Sequence, residues 1–145
     1  MPNLKSAIAI RTCVPLWRVL LLFLLAACSA SVLAQTRVYE LRTYHCYDEK
    51  LETLKVNFRD FDIRILKRHG IESIGYWVPQ DPVLAKNTLI FMLVHPSRAD
   101  AEKNWAAFVN DPEFKKLAAE AMKDGPIVEK IESIYLDPSD FSPLK

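Results

Sequence analysis

The sequence predicts an α+β domain with the ferredoxin-like order β-α-β-β-α-β: a four-stranded antiparallel sheet carrying both helices on one face. Three observations lead there. Between residues 37 and 136, stretches that alternate at period two exchange with stretches whose apolar residues recur every three or four positions. Turn chemistry falls between these stretches, at Gly70, at Pro79-Gln80-Asp81-Pro82 and at Gly125-Pro126. The chain has 145 residues, 50% of them hydrophobic, which is room and apolar material for one domain.

Residues 1–34 read as an export signal outside that domain. Lys5, Arg11 and Arg18 form a basic start, and the apolar run 19–27 has nine residues, too short to span a bilayer but right for a signal. Two processing sites fit. Val32-Leu33-Ala34 ends in small residues, and cleavage there would release a soluble chain from Gln35 into the periplasm or cell envelope. Leu25-Ala26-Ala27-Cys28 has the form of a lipobox, in which 1–27 is the signal and an acylated Cys28 ties the protein to a membrane. Loss of residues 1–34 leaves 16 basic against 18 acidic residues, a net charge of −2. No basic run survives, so nucleic acid is excluded as a partner. Cys46 would then be the lone thiol, expected half-buried, and no internal disulfide could form.

Within the domain, 35–145, each element has its signal. Residues 37–45 alternate and are rich in aromatic and β-branched types, giving the first strand. Asp48 is expected to cap the helix that follows, whose stripe is Leu51, Leu54, Phe58, Phe61 and Ile65 and whose end is His69-Gly70. Residues 71–78 make the second strand and the apolar run 89–95 the third. Ser97, three residues before Asp100, begins a helix bearing Ala101, Trp105 and Phe108, all expected to pack on the sheet. Asp111-Pro112 restarts it with proline at the first helical position, and Phe114, Leu117, Ala118 and Ala121 carry the stripe on. Residues 128–136 form the fourth strand, and 137–145 a polar tail.

In this topology strands one and three are central and one face of the sheet lacks helices. Parity is expected to turn Tyr39, Leu41 and Thr43 to the helices and Val38, Glu40, Arg42 and Tyr44 to the open face. Ile90, Met92, Val94, Gly75, Trp77, Lys130, Glu132 and Ile134 would join the latter. Such a face is too apolar for water and too charged for a dry core. A second copy packed over it would meet both demands and leave a lumen suited to a small molecule. There Arg42 could hold a carboxylate or phenolate through two parallel donors, while Tyr44, Trp77 and Met92 pack on an apolar or aromatic body. Glu40 or Glu132, desolvated, would have a raised pKa and accept a proton.

Other chemistries find no support. Three glycines, Gly70, Gly75 and Gly125, cannot build G-x-G-x-x-G, a P-loop or G-x-S-x-G. His45, His69 and His95 are spaced 24 and 26 apart and match no zinc pattern. No metal or cofactor is expected. A haem would need an axial ligand, for which His95 is the candidate, although a strand-end surface position is the plainer expectation for it. His69 suits a helix C-terminus.

Four segments occur in order over nearly all of residues 37–144. They are Val38-Tyr39-Glu40-Leu41-Arg42-Thr43-Tyr44, Gly75-Tyr76-Trp77, Trp105-Ala106-Ala107-Phe108 with Asp111-Pro112-Glu113, and Pro138-Ser139-Asp140-Phe141-Ser142-Pro143-Leu144. Together they resemble the NIPSNAP family. The resemblance implies a homodimeric α/β barrel, in a superfamily that also holds small monooxygenases, haem-handling enzymes and stress-response proteins. NIPSNAP members themselves mostly lack an assigned reaction. This chain departs from the pattern in the insertion-like turn 79–87 and in Cys46. Two functional readings stand. One is an exported homodimer that binds a small apolar or aromatic molecule between its sheets, with cofactor-independent oxygenase or isomerase chemistry. The other is a non-catalytic interaction module, lipid-anchored through Cys28, whose lumen is only an interface.

Overall fold

Two central strands organise the sheet, in the order β2-β3-β1-β4. The computed structural model describes residues 37–144, so the export signal, its cleavage positions and Cys28 lie outside the described residues. In chain order the elements are β1 (Val38–Cys46), α1 (Leu51–Asn57), a π-helical turn (Phe58–Asp62), α2 (Ile63–Arg68), β2 (Glu72–Trp77), a 3₁₀ turn (Leu84–Lys86), β3 (Thr88–His95), α3 (Arg98–Asn110), α4 (Pro112–Ala121) and β4 (Val128–Leu136). All pairings are antiparallel, which with the helices gives the α+β ferredoxin-like fold.

Local chemistry accounts for most boundaries. Ser97 Oγ accepts from the Asp100 amide and Asp111 from the amides of Glu113 and Phe114, so both expected caps form. Gly70, at φ +74°, closes α2 as the Ile71 amide reaches back to the Leu66 carbonyl. Asp48 does not cap α1. That position falls to Lys50, which makes no side-chain cap and instead donates from Nζ to the Asp124 carbonyl at 2.9 Å. The expected single helix 51–69 is broken by the π-helical turn, which sequence periodicity did not reveal.

The core lies between helices and sheet. Leu89, Phe91 and Leu93 of β3 point into it and meet Leu51, Leu54, Phe58, Ile65, Leu66 and Phe108. Cys46 is fully buried here rather than half-buried, and burial pushes its thiol pKa up.

Registers settle the faces. Thr43 is opposite Ile90, Leu41 opposite Met92 and Tyr39 opposite Val94, while Glu132, Ile134 and Leu136 lie opposite Thr43, Leu41 and Tyr39 on β4. Gly75 and Trp77 are opposite Met92 and Ile90, and a Cβ at Gly75 would stand 2.8 Å from the Trp77 ring. β2, β3 and β4 thus present the expected residues to the open face. β1 is inverted: Glu40, Arg42 and Tyr44 are paired with Leu93, Phe91 and Leu89 and face the helices. Tyr39, Leu41 and Thr43 occupy the open face instead. The reason is that Glu40 and Arg42 find polar partners inside, whereas Tyr39 is covered where the tail residues 137–144 return across the sheet beside Met92 and Leu136.

Candidate functional site

β1 delivers Glu40 to the centre of the sheet, on the side under α3. Its carboxylate is fully buried and takes four hydrogen bonds. Oε1 accepts from Arg42 Nη1 at 2.8 Å and from Ser133 Oγ at 2.7 Å. Oε2 accepts from Trp105 Nε1 at 2.7 Å and from His95 Nε2 at 2.9 Å. Burial acts against ionisation, but the hydrogen bonds from His95, Ser133 and Trp105 and the charge of Arg42 outweigh it and lower the pKa to about 2. Glu40 is therefore a fixed anion, not the raised-pKa base expected from the sequence. An ionised carboxylate only accepts, so His95 carries its proton on Nε2, and its buried Nδ1 has no partner among the described residues.

His95 is accordingly no strand-end surface residue; it is among the most buried side chains of the chain. With Nε2 held by Glu40, it is not placed as an axial haem ligand. Among the described residues no group of three His, Cys, Asp or Glu side chains is arranged to hold a metal ion. The Arg42 guanidinium carbon lies over the Trp105 ring, 4.1 Å from its centroid, and 5.4 Å from that of Tyr44. This arginine braces a wall; its strong contacts are internal.

On the other side of that wall is a cavity of about 270 Å³ between sheet and helices. Tyr44 and Trp105 contribute to it together with Phe58, Phe61, Phe108, Phe114, Leu117 and Ile131. Polar groups on its lining are few: the Tyr44 hydroxyl, Asn57, the Trp105 indole already given to Glu40, and Asp62. Burial alone raises the Asp62 pKa to about 6, and the carboxyl has no hydrogen-bond partner among the described residues. It sits at the end of the π-helical turn, a feature concentrated at functional sites. Burial likewise raises the pKa of Tyr44.

The remaining expected residues stay apart from this cluster. Trp77 and Met92 lie on the open face of the sheet, across the β layer from Arg42 and Tyr44. Glu132 is half exposed on the same face, ion-paired to Lys130 and 3.8 Å from His45. Its pKa is lowered, first by the Lys130 hydrogen bond, which is the reverse of the expected rise. His69 closes α2 as expected and also meets Asp111 Oδ2 at 2.7 Å, beside Arg68. Sequence reading named His95 only as a haem-ligand candidate and Trp105 only as a packing residue, and it missed Ser133 and Asp62. Asp62 had a legible signal: it is four residues after Phe58 and three before Ile65, an acid on the apolar stripe. Trp105 and Ser133 had none, since their partner is brought from β1 by the fold.

A NIPSNAP family model matches residues 39–143. No curated protein matches the chain. Among solved structures, a NIPSNAP family protein of unknown function from Agrobacterium tumefaciens superposes with a TM-score of 0.65 at 24% identity, over 77% of this chain and 96% of that one. A NIPSNAP-like domain protein from Burkholderia xenovorans gives 0.65 at 18% identity, over 75% and 90%. A Streptomyces coelicolor monooxygenase in complex with nanaomycin D shares the fold at 0.50 and 12% identity, over 72% and 89%. With the family match running through all four strands and both helical segments, the chain belongs to the NIPSNAP family.

Proposed function

We propose that this NIPSNAP protein is an exported homodimer, each protomer of which binds a small apolar or aromatic molecule. The binding place is the cavity between helices and sheet rather than a lumen between two sheets. One observation carries the reading: a partly open cavity of about 270 Å³ whose aromatic and aliphatic lining is interrupted by a single carboxyl group. Dry cavities of about 150 Å³ lined by such side chains already hold benzene. The Arg42 and Glu40 cluster supports the site from behind by fixing the Trp105 and Tyr44 rings. A proton acceptor in an apolar cage is the minimum equipment for cofactor-independent oxygenation or isomerisation. That a monooxygenase of this fold is found with nanaomycin D supports a small-molecule role.

The test is the native mass of the protein isolated from its own host, alongside an Ala118→Trp variant that fills the cavity. A mass excess of one small molecule per protomer, absent in the variant, is expected. A bare protein in both rejects the reading. A second reading, an interaction module anchored through Cys28, is favoured by the exposed apolar side chains of the open face, Ile134 at 57% and Trp77 at 49%. It expects Cys28→Ser to release the protein from membranes. A soluble wild-type chain beginning at Gln35 would reject the anchor.

A further inference from the structure

The cavity also constrains what can occupy it, an inference that rests on the binding reading above. We infer that its occupant is a largely apolar ring compound bearing one hydrogen-bond donor, and that Asp62 accepts the hydrogen bond from that donor. Asp62 alone of the acidic residues lines the cavity, and it has no hydrogen-bond partner among the described residues. An unpaired carboxyl in an apolar wall is a standing cost to the fold, which a donor on the ligand would remove. The π-helical turn brings Asp62 and its neighbour Phe61 together onto the lining.

Charge then selects among donors. An anionic ligand would meet Asp62 itself. Arg42 does not bar a cationic one, because its charge is paired with Glu40 at 2.8 Å behind the Trp105 and Tyr44 rings. A hydroxyl and an ammonium group both meet Asp62 without repulsion. The indole N–H of Trp105 is held by Glu40 at 2.7 Å, so Asp62 is the charged anchor at which the donor can dock. The remaining surface, with Phe58, Phe108, Phe114 and Leu117, fits flat apolar rings.

The experiment compares 1-naphthol, naphthalene and 1-naphthylmethylamine by calorimetric titration at pH 7.5, on the wild-type protein and on the Asp62→Leu and Asp62→Asn variants. Wild type is expected to bind 1-naphthol about 10- to 100-fold more tightly than naphthalene, the span of a hydrogen bond to a charged group. The preference should vanish in Asp62→Leu while naphthalene still binds, and Asp62→Asn, which keeps a neutral acceptor, should fall between. Equal binding of naphthol and naphthalene by wild type, or a preference that survives in Asp62→Leu, overturns the assignment to Asp62 and leaves the cavity reading standing. Binding of the amine more tightly than naphthalene, lost in Asp62→Leu, supports the same assignment. Binding of none of the three overturns both the assignment and the cavity reading.

Discussion

Two carboxyl groups on the helix side of the sheet are displaced in opposite directions, and each leaves its own mark on stability. Glu40 has a pKa of about 2 in the fold against 4.5 when unconstrained. A lowered carboxylate contributes stability that is complete above about pH 4.5 and is lost as pH falls toward 2, amounting to roughly 3 kcal/mol. Asp62 is raised from 3.8 to about 6, so the folded chain holds its proton more tightly than the unfolded one. Its cost is absent below about pH 4, grows until pH passes 6, and stays constant above. Asp62→Asn should therefore stabilise the ligand-free protein by about 1–3 kcal/mol at pH 7 and have no effect at pH 3.5, read from urea midpoints across that range. A destabilised variant at pH 7 would show that Asp62 has a partner in the fold. Glu40→Leu leaves Arg42 and His95 buried and unpaired, and by the same measurement should cost about 3–5 kcal/mol.

At the scale of elements, the segment between β1 and β2 carries an irregularity that the proposed binding site uses. Leu51, Leu54, Ile65 and Leu66 anchor α1 and α2 in the core, and the π-helical turn between them accommodates a residue more than a regular helix would. Deleting exposed Asp60 should let the helix run on regularly. Helicity by circular dichroism should hold while 1-naphthol and naphthalene binding are lost, because Phe61 and Asp62 rotate off the lining; unchanged binding would detach the turn from function. Ser97→Ala, by contrast, removes a plain cap from α3 and should cost about 1 kcal/mol with binding intact. Elements of this second kind were legible from sequence: caps at Ser97 and Asp111, the glycine stop at Gly70, and the strand order all follow from local chemistry. The faces of β1 were not. Tyr39, Leu41 and Thr43 are as apolar as Tyr44 and Val38, so polarity decided the assignment, and polarity misleads where Glu40 is satisfied by Ser133, Trp105 and His95 from three other elements. The π-helical turn was invisible for a related reason, since a stripe spaced at three and four tolerates one inserted residue without losing its pattern.

At the scale of the molecule, the open face of the sheet and the cavity lie on opposite sides of one β layer, and that separation makes their roles independently measurable. Ile134 is 57% exposed, Trp77 49% and Leu136 38%, with Leu41, Ile90, Met92 and Val94 between them on the inner strands. In the dimer proposed above, a second copy of the same face would cover this apolar surface by a two-fold axis. Ile134→Lys places a charge at the middle of β4, opposite Leu41, where a partner sheet would have to desolvate it. Sedimentation is expected to show a dimer for the wild-type protein and a monomer for the variant. Binding of 1-naphthol should be unchanged, because no residue of the cavity lining stands on the open face. Should affinity instead fall in step with the dimer, the ligand would belong between two sheets, and Arg42 and Tyr44 would be supporting the core alone. A substitution on one side of a single β layer thus decides which side holds the chemistry.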